Sequence, residues 1–211
     1  MSMDDTPKKD ALLLALLPAV PFDGWTRGAM RAAGARARLG ADEIDALFPR
    51  GPRDVVAWFS RWADRKTLAA LMARKAQRMR TGERIAHGVR TRLQILLPHR
   101  EAVRRSLTLM ALPQNLPLSA KLLYEVVDTL WHAAGDSSTD FNFYTKRALL
   151  AGVYAATTLY WLDDRSEGNA ATEAFLERRL GEVQAIPRLK NAAARIPNPL
   201  RILRAVRARS T

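Results

Sequence analysis

The stretch Ala134-Gly-Asp-Ser-Ser-Thr-Asp-Phe-Asn-Phe-Tyr-Thr-Lys-Arg-Ala-Leu-Leu-Ala-Gly-Val-Tyr154 joins a helix stop, a capped helix start and a helix with two apolar faces. Gly135 is the stop, because glycine takes the left-handed conformation that closes a helix without a Cβ penalty. After it, Asp136, Ser137, Ser138, Thr139 and Asp140 offer side-chain oxygens to the unpaired N–H groups of the next helix, and their charge suits its dipole. A helix is therefore expected from Asp140. On it Phe141, Tyr144, Ala148, Ala151, Gly152, Ala155 and Leu159 form one stripe, while Phe143, Arg147, Leu150, Tyr154, Thr158 and Trp161 form another. A helix apolar on two sides needs two partners: one the core, the other a second subunit, a ligand or a membrane-side surface.

Outward from this stretch the chain reads as helix throughout. No segment alternates cleanly enough for a sheet, and the periodicity predicts helices over Asp10 to Leu17, Gly24 to Arg38, Ala41 to Leu47, Arg53 to Arg80, Gly82 to Leu97, Arg100 to Met110, Leu118 to Ala134, Asp140 to Leu162 and Asn169 to Ala185. Pro98, Pro113, Pro117 and Gly135 fall where helices should end. The front end has the order of a helix-turn-helix: Trp25 to Arg38, a Leu39–Gly40 turn, then Ala41 to Phe48. Its chemistry does not suit DNA. The second helix carries Asp42, Glu43 and Asp45 with no basic residue between Gly40 and Pro49, and three carboxylates repel a polyanion. A head that has lost its reading surface is favoured over a working transcription regulator, and no nucleic-acid partner is expected.

The 211 residues suffice for one domain with a real core. The formal net charge of +13 admits nucleic acid, an anionic membrane surface or an acidic protein as partner. Ten Arg or Lys residues between Arg74 and Arg105 face only Glu83 and Glu101. Ile85, Val89, Leu93 and Leu96 at helical spacing make these cations either the solvated side of helices or a patch for a membrane or partner. Past Glu182 no acidic residue occurs, while Arg188, Lys190, Arg195, Arg201, Arg204, Arg207 and Arg209 do. Pro187 suits the start of one short helix and Pro199 of another. The second gathers Ile202, Leu203 and Val206 on one face, opposite Arg201 and Arg204. Such an arm either docks on a membrane, stays disordered or packs on its own domain. If it docks, each Arg near an anionic leaflet contributes about 1 kcal/mol, which makes attachment reversible.

No stretch of about eighteen apolar residues is present to span a bilayer. Asp4 and Asp5 argue against a mitochondrial presequence. The expected setting is therefore bacterial and cytoplasmic, with the arm peripheral on the inner face of the cytoplasmic membrane. Without cysteine, thiolate sites and cysteine nucleophiles are excluded. His87, His99 and His132 complete no Glu-x-x-His or His-x-x-x-His spacing, so a di-iron bundle or zinc hydrolase has no ligand set, and no phosphate-cradling glycine loop occurs. The chain reads as a non-enzyme with no cofactor and no metal.

The runs Ser138 to Tyr154 (STDFNFYTKRALLAGVY), Leu112 to Pro117 (LPQNLP), Arg90 to Pro98 (RTRLQILLP) and Phe175 to Leu180 (FLERRL) occur in an order and spacing that resemble the Coq-nine family of ubiquinone (coenzyme Q) biosynthesis accessory proteins. The likeness is strongest from about Arg90 to Leu180. It implies an all-α, TetR-like helical bundle with a degenerate N-terminal helix-turn-helix and a C-terminal amphipathic helix. It also implies a homodimer that binds an isoprenoid quinone-type lipid and presents it to the pathway's di-iron hydroxylase. On this reading 1–80 is the head with its connecting helix, 81–186 the lipid-binding and dimerisation bundle, and 187–211 the basic arm. The expected pocket residues are Leu93, Leu96, Met110, Leu123, Val127, Leu149, Gly152, Val153 and Ala156, although a small-residue stripe such as Ala148, Gly152 and Ala155 equally suits close helix packing. Leu130, Trp131, Asp140, Phe143 and Tyr144 flank the Gly135 turn. In the family the counterparts of Leu130, Asp140, Phe143 and Tyr144 belong to the patch that holds the hydroxylase, with Trp usual at the Phe143 position. The resemblance also adds weight to membrane docking of the arm through Arg201, Ile202, Leu203, Arg204, Val206 and Arg207.

Overall fold

The computed structural model describes residues 5–73, 79–135 and 141–194; for 73, 141–143 and 184–194 it describes the backbone alone. Among these residues helix is the only regular structure, in the order α1 (Thr6–Leu16), α2 (Val20–Asp23), α3 (Arg27–Ala37), α4 (Ala41–Leu47), α5 (Pro52–Ala73), α6 (Thr81–Leu96), α7 (Arg100–Met110), α8 (Leu116–Ala133), α9 (Phe141–Asp163) and α10 (Ala170–Ala194). The protein is an all-α bundle.

The head is α1, α3 and α4. Thr26 caps α3 by accepting from the Ala29 N–H at 3.1 Å. The helix ends at Arg38, whose φ of 58° turns the chain toward α4. Gly34 lets the two helices cross closely, because a Cβ there would lie 2.1 Å from Cδ1 of Ile44. The acidic face of α4 is partly neutralised from within: Lys8 pairs with Glu43 at 2.6 Å and Arg27 with Asp45 at 3.1 Å. These exposed pairs contribute little to stability.

Helix α5 runs from head into body. Its Phe59 stacks on Trp62 at 6.1 Å and lies tilted against Trp25, just before α3, at 5.6 Å, and both Phe59 and Trp62 meet the His99 ring edge-on at 6.1 and 5.9 Å. Burial holds the His99 pKa below its ordinary value. On the head side the Trp58 Nε1–H donates to Asp10 at 2.8 Å, and Arg65 both pairs with Asp10 and covers the Trp58 ring at 4.5 Å. A continuous core therefore links the two parts.

The body packs α8 against α5, α6 and α9, with α10 over α6 and α9. Helix α8 stops as expected: Gly135 has φ of 77°, and the Gly135 N–H donates to the His132 carbonyl at 3.0 Å. Asp136 to Asp140, the expected cap of α9, lie outside the described residues. Before α10, Asp164 accepts four hydrogen bonds, from the backbone N–H and hydroxyl of both Ser166 and Thr172. Burial alone would raise its pKa; the four donors outweigh that and hold it well below the usual carboxylate range. Helix α10 departs from expectation, since its backbone continues through Pro187 to Ala194 instead of restarting there. One proline deletes a single N–H from a helix that α6 and α9 already hold in place. No described helix is long and apolar enough to cross a membrane.

Candidate functional site: an apolar cavity with a polar wall

The two stripes of α9 meet different fates. Arg147, Leu150, Tyr154, Thr158 and Trp161 are buried, whereas Tyr144, Ala148, Gly152 and Leu159 are exposed. Arg147 is drawn inward by Asp128 of α8, which accepts from it at 2.9 and 3.0 Å.

Where the buried stripe meets the body, five helices enclose a cavity of about 280 Å³. Its wall is built by Val56, Phe59 and Ser60 of α5, Arg92 and Leu96 of α6, and Val103, Ser106, Leu107 and Met110 of α7. Ser119, Leu122, Leu123 and Val126 of α8 with Tyr154, Ala155, Thr158 and Leu159 of α9 complete it. Leu107 and Leu159 are exposed and mark where it reaches the surface. The volume is near the lower edge of the roughly 300–1,000 Å³ of small-molecule sites.

One wall is polar. Arg92 is only 3% exposed, and its Nη1 donates to Asp64 at 2.6 Å, its Nε to the Tyr154 hydroxyl at 2.8 Å and its Nη2 to the Ser60 hydroxyl at 3.2 Å. Burial pushes the Asp64 pKa up, and the guanidinium pulls against it. The other cavity hydroxyls turn away from the space: Ser106 donates to the Ala102 carbonyl, Ser119 to Met110 and Thr158 to Tyr154. The Tyr154 O–H meets no protein acceptor among the described residues, so its proton is free for a ligand oxygen, polarised by the cation behind it.

Of the expected pocket residues, Leu96, Met110 and Leu123 line this cavity. Leu93 faces a narrower cleft with Trp161 and Leu176. Val127 and Val153 are core residues, Leu149 and Ala156 are half-buried off the cavity, and Gly152 faces open space with nothing within 4 Å of a Cβ placed on it. The four of these on α9, Leu149, Gly152, Val153 and Ala156, miss the cavity because it sits on the Tyr154 side of that helix, about a third of a helical turn away. Arg92 and Tyr154 were not among the expected residues. The signal for Arg92 was its phase, since positions 85, 89, 92 and 96 share one face of α6.

At the Gly135 turn Trp131 is half-buried under Lys146, whose Nζ lies 5.7 Å from its ring, and Tyr144 is 71% exposed. Leu130 is in the core and presents nothing to a partner. Asp140 and the Phe143 side chain lie outside the described residues, as do Arg201, Ile202, Leu203, Arg204, Val206 and Arg207.

A family model described as COQ9 matches residues 116–187. The mitochondrial ubiquinone biosynthesis protein COQ9 of Rattus norvegicus is 35% identical over 178 residues, 81% of this chain and 57% of the relative. That of Homo sapiens is 34% identical, over 81% of this chain and 56% of the relative. The mitochondrial coq9 protein of Schizosaccharomyces pombe is 32% identical over 188 residues, 87% of this chain and 73% of the relative. The chain thus spans little more than half the length of the mammalian relatives it matches. These relatives are eukaryotic and mitochondrial by name, which overturns the expected bacterial placement on a cytoplasmic membrane. That expectation rested on two N-terminal acids, which say little about a protein that aligns with only part of its relatives. A TetR transcriptional regulator from Nitrosomonas europaea ATCC 19718 superposes with a TM-score of 0.69 at 21% identity, covering 83% of this chain and 97% of the regulator, and shows that the fold is TetR-like. Shared fold is no guide to DNA binding. With identity at this level across most of a whole relative, the chain belongs to the COQ9 family.

Proposed function

We propose that the protein serves ubiquinone biosynthesis without catalysing a step itself: it binds an isoprenoid quinone-type lipid in the α5–α9 cavity and presents it to the pathway's hydroxylase. The observation that carries this reading is an apolar cavity across five helices, closed at one wall by Arg92, Tyr154 and Ser60. Apolar burial supplies the affinity for ring and first isoprene units. The Tyr154 proton fixes an oxygen of the ring. A cavity of this size leaves the rest of a long tail to pass out between Leu107 and Leu159.

The exposed small residues Ala148 and Gly152, between the Tyr144 end of α9 and the cavity mouth at Leu159, suit a second copy of the chain, in keeping with a homodimer. For the hydroxylase, the proposed docking face keeps Trp131 and Tyr144 and drops Leu130, while Asp140 and Phe143 stand on the family resemblance. The basic arm from Arg201 to Arg207 is proposed to rest on an anionic membrane surface. The DNA-reading alternative finds no support in α4, whose Asp42 and Asp45 remain exposed carboxylates.

Native mass spectrometry of gently purified full chain tests the proposal. The expected result is a dimer mass with an added isoprenoid, lost in Ala155→Trp, whose indole fills the cavity. A bare chain that also takes up no short-tail quinone would overturn it, as would equal uptake by Ala155→Trp.

A further inference from the structure

A second concavity lies on the opposite side of α5, between head and body. It has a volume of about 430 Å³, within the range of small-molecule sites. Five cationic side chains line it, Lys9 of α1, Arg50, Arg53 and Arg61 around the start of α5, and Lys121 of α8, against a single lining carboxylate, Asp54. That carboxylate is already engaged: Arg50 donates to it at 2.9 Å through Nε and at 2.8 Å through its backbone N–H. Glu125, behind the wall, is held by Arg61 at 2.9 and 3.1 Å with Lys121 at 4.0 Å. Lys9 and Arg53 have no carboxylate partner among the described residues, and the buried Nε of Arg53 has no hydrogen-bond acceptor. Lys9 instead lies over the rings of Phe48 and Trp58 at 5.9 and 5.4 Å.

Three features therefore converge on one space. It has a positive excess that internal pairing leaves unspent, an Arg53 guanidinium with no carboxylate partner among the described residues, and apolar lining from Leu47, Ala57, Trp58 and Leu118. A carboxylate would answer one cation; a phosphate or diphosphate, with several acceptor oxygens and up to three charges, answers Lys9, Arg53 and Lys121 together.

We propose that this concavity is an anion site for a phosphate- or diphosphate-bearing ligand with an adjoining apolar group. It is independent of the α5–α9 cavity, and because its walls come from α1, α5 and α8 an occupant ties head to body. The phosphate belongs to a free small molecule or to a phospholipid headgroup, and the recognition chemistry is common to both.

The test is calorimetric titration of the full chain at physiological salt with inorganic pyrophosphate, with a short-chain alkyl diphosphate, and with phosphatidylglycerol vesicles against phosphatidylcholine ones. Saturable one-to-one binding of at least one phosphate probe is expected, weakened tenfold or more in Lys9→Gln/Arg53→Gln and in Lys121→Gln/Arg53→Gln. The reference Arg31→Gln/Arg165→Gln, which removes equal charge from exposed positions elsewhere, is expected to change affinity less than twofold. Pyrophosphate or alkyl diphosphate binding identifies a free ligand, vesicle binding alone that the pocket variants weaken identifies the headgroup, and vesicle binding alone that they leave unchanged belongs to the basic arm and overturns the site. Absence of saturable binding by every probe, or equal weakening in the reference variant, overturns the site. Ala155→Trp leaves the binding intact if the two sites are separate, so failure of the lipid-carrier reading is distinguishable from failure of this one.

Discussion

Replacing Arg92 by Met removes one member of a buried cluster and strands the other three. Asp64 loses the cation at 2.6 Å, the Tyr154 hydroxyl its donor at 2.8 Å and Ser60 its donor at 3.2 Å, all in surroundings from which water is largely excluded. Breaking a buried pair by removing one partner costs about 3–5 kcal/mol. With a slope of about 2 kcal/mol per molar urea, the unfolding midpoint falls by roughly 2 M. Replacing both charges, as Arg92→Met/Asp64→Leu, leaves no stranded carboxylate and recovers most of that loss, because a buried pair is often no better than its apolar isostere. The pH dependence carries a sign. Burial already raises Asp64, and removal of Arg92 removes the main influence that lowers it, so the carboxyl binds its proton more tightly in folded Arg92→Met than in the unfolded chain. Stability held by that protonation is full below the unfolded pKa of about 4 and is lost as pH rises through the folded value. The gap between the wild type and Arg92→Met is therefore smallest near pH 4 and widens toward neutrality. Urea denaturation followed by circular dichroism at several pH values reads it. The folded double variant also separates the two parts of ligand binding, as it should retain uptake of a plain isoprenoid hydrocarbon and lose its preference for a quinone. A single variant costing under 1 kcal/mol, a double variant worse than the single, or a gap that narrows toward neutral pH would refute the stranded-carboxylate account.

Asp164→Asn should weaken the α9–α10 connection by about 1–2 kcal/mol in thermal unfolding, as the loss of a cap does. Because the folded Asp164 pKa is depressed, its contribution is present above the unfolded value and lost as pH falls, so the wild type and variant should converge in acid; parallel curves would count against it. Gly34→Ala should cost about 1–3 kcal/mol by overpacking against Ile44, and Ile44→Val, which removes the clashing Cδ1, should restore part of it. If the double variant is simply the sum of two losses, the α3–α4 approach is looser than described.

Local signals in the chain were enough for the framework. Helices α4 and α7 begin and end where Gly40, Phe48, Pro98 and Met110 place them, and Gly135 stops α8, because capping and backbone preference act within a turn or two. The acid-rich α4 was legible for the same reason, and the family runs carried the TetR-like architecture. Side-chain fate was less legible. Two stripes on α9 were visible, yet which one faced inward depended on α5, α6, α7 and α8 arriving on the Tyr154 side. That choice moved the cavity away from Gly152, Val153 and Ala156 and toward Tyr154, Ala155 and Thr158. Arg92 counted as one more cation on a basic helix until Asp64, 28 residues earlier, and Tyr154, 62 later, supplied its partners. Lys9, Arg53 and Lys121 share a concavity only because α1, α5 and α8 meet. Periodicity states which residues lie on one face of a helix; only packing states what that face meets, since burial and pairing depend on distances between segments remote in the chain.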